Sequence, residues 1–180
     1  MKLLKVTLAG LGALLTFGCG GDQVKDSSGG DVPKWVLEQP AGCGVGIAKV
    51  RGNLGMAKTT AEARGRDALA RQLNTTVQGM IKDYQQSGET DGKDFTEELT
   101  TQVSRQLIDM NLVGTRPRIS HISNGGDQQY YSLMCLDPEA FAGAFDRMNE
   151  LSAKQREALK KRASAEFHDL DEQLDRLHNQ

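Results

Sequence analysis

Between Gly42 and Val50 the chain reads GCGVGIAKV, and no other stretch restricts the fold as much. A period of two places Val45, Ile47 and Lys49 on one face of a strand, and Gly44, Gly46, Ala48 and Val50 on the other. A strand face kept this small signals that another element packs closely against it. The next segment suits that task. From Met56 the period becomes helical, with Ala57, Ala61, Ala68, Leu69, Leu73, Val77, Met80, Ile81 and Tyr84 on one stripe. The first half of the stripe is alanine-rich, which permits close approach to a sheet.

The rest of the chain alternates in kind. Ser87 to Lys93 (SGETDGK) breaks the helix, and Phe95, Leu99, Val103, Leu107 and Met110 predict a second helix or a continuation after a kink. LVGTRPRISHIS reads as extended. Pro117 lacks a ladder donor, so this strand is expected at an edge or at a bulge. NGGD, Asn124 to Asp127, predicts a hairpin turn, and QQYYSLMCL the returning strand. Asp137-Pro138-Glu139 is a helix start, with Asp as cap and Pro in the first turn; Phe141, Phe145 and Met148 form the stripe behind it. Earlier, the two prolines of VPKWVLEQP (Val32 to Pro40) exclude a helix and leave Trp35 as the one large anchor. The order predicts an α+β fold: a three-stranded antiparallel sheet, a long helix on one face and a C-terminal helix.

Residues 151–180 are polar until Phe167, Leu170, Leu174 and Leu177, and read as a helical extension beyond a domain spanning 32–150. The extension packs on the domain or pairs with a second copy as a coiled coil.

Sheet order follows from connectivity. A helical crossover makes the first two strands parallel with a gap between them, and the hairpin lets the third fill that gap. The order is then 1-3-2, a split β-α-β arrangement, in which Cys43 and Cys135 meet at one sheet end. They are candidates for a disulfide; the alternative is two buried thiols, or side chains on opposite faces.

The first nineteen residues, MKLLKVTLAGLGALLTFGC, have another purpose. Lys2 and Lys5 precede an apolar run, Val6 to Phe17, too short to cross a bilayer as a permanent helix but suited to a secretory signal. Gly18 directly before Cys19 resembles the lipobox of bacterial lipoproteins, although Thr16 stands where Leu is usual. The resemblance implies cleavage after residue 18 and acylation of Cys19. Plain secretion and an uncleaved anchor are the alternatives. Gly20 after the cysteine, by the sorting rule of enteric bacteria, implies the outer membrane. Residues 19–31, with the run GGDQVKDSSGGD, read as a flexible tether.

Catalytic patterns are weak throughout. GCGVG lacks the third glycine of a dinucleotide fingerprint and leads into a strand. His121, His168 and His178 have no ligand spacing, and a Cys–His nucleophile pair from Cys43 or Cys135 with His121 has nothing to favour it. Glu97-Glu98 and Asp169/Asp171/Glu172 read as solvated helix faces, and Lys160-Lys161-Arg162 is flanked by acids. A net charge of −2 argues against nucleic acid as partner. No catalytic residue, cofactor or metal is expected.

Three stretches together resemble the LPP-twenty family of bacterial lipoproteins, which includes FlgP-type flagellar outer-membrane lipoproteins. They are PKWV (Pro33 to Val36), GVGIAKV with the Ala-rich run holding Ala57, Ala61, Ala70 and Arg71, and YYSLMCLDPEAF. The likeness spans about residues 33–145. It implies a small α+β domain tethered to the outer membrane, on a face left undecided, without catalytic residues. A structural or assembly role follows, with homo-oligomers or envelope and flagellar proteins as partners. The alternative is an envelope module that binds a small ligand or polymer.

Overall fold

The structure, a computed structural model, describes residues 31–88, 92, 94–113 and 115–178. Its elements run α1 (Lys34–Leu37), β1 (Cys43–Lys49), α2 (Leu54–Gln86), α3 (Glu97–Leu112), β2 (Arg116–Ile122), β3 (Gln129–Cys135), α4 (Pro138–Ala144), a 3-10 turn (Phe145–Arg147), α5 (Ala153–Glu166) and α6 (Leu170–His178). The fold is α+β, and the three strands form one antiparallel sheet in the order β1-β3-β2.

Register follows from which strand residues exchange hydrogen bonds. The bonds Leu136 N–H to Gly42 O (3.0 Å) and Val50 N–H to Gln128 O (2.8 Å) assign the even residues of β1 to the hydrogen-bonded pairs. Cys43↔Cys135, Val45↔Leu133 and Ile47↔Tyr131 are therefore the non-hydrogen-bonded pairs, where side chains come closest. Central β3 is buried on both faces from Tyr130 to Cys135. Edge strand β2 is exposed or half-buried throughout, and its register slips between Pro117 and Ile119. An edge tolerates both the missing proline donor and the extra residue.

Helix α2 starts at Asn53, whose side chain accepts from the Met56 N–H, and at 33 residues it is about 50 Å long. Its first half lies on the glycine face of β1. A Cβ on Gly44 would overlap the Gly65 carbonyl and the Leu69 amide; one on Gly46 would overlap the Ala61 carbonyl and the Gly65 amide. Backbone meets backbone there because three glycines remove the intervening side chains. Beyond the sheet, Leu73, Val77, Met80, Ile81 and Tyr84 continue the buried stripe. Helix α3 packs against this second half, with Val103 and Leu107 buried and Phe95 edge-on to Tyr84 at 5.9 Å. Two separate helices form because Thr96 caps the second one, accepting from the Leu99 N–H.

Two expectations need correction. One turn of helix, α1, forms between Pro33 and Pro40, since proline is excluded from a helix interior but not from its start. It buries Trp35 against the sheet, beside β3. Of the two alternatives for the C-terminal extension, residues 151–178 take the first and pack on the domain, so the core runs on past residue 150. Leu151, Gln155, Leu159, Ala163, Phe167, Leu170 and Leu174 are buried, the apolar ones in the same core as the sheet and α2. Phe167 lies edge-on to Phe141 at 5.2 Å, and the Arg162 guanidinium sits 5.5 Å from the Tyr84 ring centre. The stripe of α5 is one residue wide (155, 159, 163), which its many charges hide in the sequence.

Candidate functional site

The two ends of the sheet carry different chemistry. At one end Cys43 and Cys135 face each other in the ladder with Cα atoms 4.1 Å apart, and a disulfide joins them. Both cysteines are buried and bonded, so neither offers a thiol for a Cys–His pair with His121. Beside this bond a hollow of about 490 Å³ is lined by Arg116, Pro117, Arg118, Cys135, Leu136 and Asp137. Two of its polar groups have structural partners: Arg118 Nη2 is 3.1 Å from Asp171 Oδ1, and Asp137 accepts from the Ala140 N–H as the cap of α4.

The other end holds the β2–β3 hairpin, where Ser123 N–H donates to Gln129 O and the Gln129 N–H to Ser123 Oγ. Asp31 is bound at this end. It accepts from the Asn124 N–H at 2.7 Å through one carboxylate oxygen, and the other lies 3.0 Å from His121 Nε2. The Asn124 amide, more than the nearby imidazole, holds the Asp31 carboxyl below the ordinary carboxylate range. His121 in turn lies against Tyr131, ring centres 6.1 Å apart. Asp31, expected in the tether of residues 19–31, is instead bound into the domain. No local periodicity marks it, because its partners lie in the β2–β3 hairpin, far along the chain.

Lys49 reaches Asp127 at 3.3 Å at this same end. Arg64, one turn along α2 from Ala61, donates to the Ile47 carbonyl. That carbonyl points away from β3, so the arginine covers part of the outer edge of β1.

His168 and His178 are exposed at the C-terminal helices, far in sequence from His121, and His168 pairs with its neighbour Asp169 at 2.8 Å. Among the described residues no group of three or more His, Cys, Asp or Glu is arranged to hold a metal ion. Glu97 and Glu98 sit in the first turn of α3, where carboxylates complement the helix dipole. Also among the described residues, no helix is long and apolar enough to cross a membrane. Cys19, the candidate for lipid attachment, lies outside the described residues. Compared with protein-family models and with curated proteins, the sequence finds no match.

Proposed function

We propose that this chain is a bacterial outer-membrane lipoprotein of the LPP-twenty type, anchored through acylated Cys19, with a structural rather than catalytic role in the cell envelope. One observation carries the reading. Within residues 1–31 a basic start, a short apolar run, Gly18-Cys19 and a Gly/Ser/Asp-rich stretch follow in order, and the α+β domain comes directly after them. Two or three acyl chains on one cysteine hold a protein to a bilayer far more firmly than a single chain. The buried disulfide supports an oxidising compartment, where such a bond forms and persists. The domain serves as a scaffold that presents surfaces to envelope proteins, the flagellum being the assembly the family resemblance implies.

Intact-mass measurement of membrane-extracted protein tests the anchor. The expected mass is that of residues 19–180 plus a diacylglyceryl group and a further acyl chain, with Cys19→Ala giving protein that lacks them. A mature N-terminus downstream of Cys19 would overturn the reading. Detergent-solubilised protein is expected to self-associate or retain envelope proteins; a monomer carrying a small molecule would instead favour a binding module.

A further inference from the structure

Exposed apolar side chains are not scattered evenly over this domain. Five large ones stand out among the described residues: Leu37, Leu54, Met56, Val113 and Ile122. Three of them, Leu54, Met56 and Ile122, sit at the hairpin end of the sheet. Leu54 and Met56 occupy the first turn of α2, 49% and 68% exposed, a few residues after β1 ends at Lys49. Ile122 is the last residue of β2, paired with Tyr130, which clusters with Ala48 and Ala57. Asp31 is pinned to this end through Asn124 and His121.

We infer that this end of the domain is a membrane-contact surface, resting on the phospholipid bilayer that holds the anchor, with Leu54 and Met56 entering the headgroup region. This orientation rests on the lipoprotein reading and adds to it. Reach decides which end lies nearest the anchor. Asp31 is 31 − 19 = 12 residues from Cys19, a span of at most about 43 Å when fully extended. Helix α2 alone is about 50 Å long and starts at the pinned end. A Gly-rich coil of 12 residues has a root-mean-square span of only about 20 Å, well under the length of α2, so the end where the chain enters the domain, with Leu54 and Met56, lies on average nearer the anchor than the far end of α2. Flanking the apolar residues, Lys49, Arg51 and Lys58 are exposed, which suits lipid phosphates. Lys49 and Lys58 each have one carboxylate nearby, Asp127 at 3.3 Å and Glu62 at 3.9 Å.

The test uses the full acylated chain in vesicles of phosphatidylethanolamine and phosphatidylglycerol. With Cys43 and Cys135 bonded and Cys19 acylated, an introduced cysteine is the sole labelling site. An environment-sensitive fluorophore is placed at Met56→Cys, at Leu54→Cys as a second probe, and at Val113→Cys as the distal control. Lipids carrying a nitroxide high on the acyl chain are expected to lower emission about twofold at 54 and 56 and to leave 113 unchanged. Acylated, vesicle-bound protein with no quenching at 54 and 56, or equal quenching at 113, would overturn the surface and leave the anchor standing. Protein that carries no acyl group and does not float with vesicles would overturn both.

Discussion

Glycine governs this fold at single positions, and its effect has opposite signs at β1 and on α2. At Gly46 a methyl group would have to displace the α2 backbone at Ala61 and Gly65, which cannot rotate aside as a side chain could. Gly65 faces the Met134 side chain and the Gly44 carbonyl, so the contact is closed from the helix side as well. Overpacking of this kind costs about 1–3 kcal/mol, and Gly46→Ala is expected at the top of that range because backbone meets backbone. Gly79, on α2 itself, is the contrast, since a methyl group added there meets nothing within 4 Å. There Gly→Ala removes only backbone freedom, and a gain of about 0.5–1 kcal/mol is expected. Urea denaturation of both variants checks the pair; a neutral Gly46→Ala would mean that α2 can lift from the strand without loss.

At the scale of elements, the chain uses long-range links where local signals stop. Strands β1 and β3 are joined by seven paired positions and by one covalent bond at the end of the ladder. That bond closes a sequence separation of 92 residues. Constraining so long a loop in the unfolded chain stabilises the native state by up to about 4.7 kcal/mol on the chain-entropy view, with measured cases often smaller. The double variant Cys43→Ala/Cys135→Ala is expected to lose about 2–4 kcal/mol, read from denaturant midpoints, while its far-ultraviolet spectrum stays native. An unchanged midpoint would show that the sheet end is held by packing alone. Helix boundaries are set more locally. Asn53, Thr96, Asp137 and Ser152 each accept a backbone N–H at a helix start, and Ser152 with Gln155 completes a reciprocal capping box.

The whole molecule differs from its sequence outline chiefly at the C-terminus. Helix α5 closes the core over α4 and the 3-10 turn, bringing Leu159, Ala163 and Phe167 into one cluster with Phe141, Phe145 and Met148, to which α6 adds Leu170 and Leu174. Ending the chain after Ser152 is therefore expected to uncover large apolar side chains at about 1.5–3 kcal/mol each. Such a variant should lose its cooperative thermal transition and aggregate. If it instead unfolds cooperatively at the full-length midpoint, the C-terminal helices are an appendage. The same burial turns the leucine stripe of α6 inward. Leu177 is left half-buried at its margin, and the described residues of α6 present no long apolar seam to a coiled-coil partner.

Alternation of glycine with Val and Ile, the alanine stripe, Pro117, the NGGD turn and the Asp-Pro start are local signals. They determined the strands and the long helix without reference to anything distant, and the order 1-3-2 followed once connectivity was added to them. What they could not decide was burial that depends on partners far along the chain. A stripe one residue wide, as in α5, is read as solvent-facing until Phe141 and Phe145 are known to lie across from it. Asp31 reads as tether until the hairpin presents the Asn124 amide. The physical reason is common to both: periodicity reports which residues share a face, and only tertiary packing determines what that face meets.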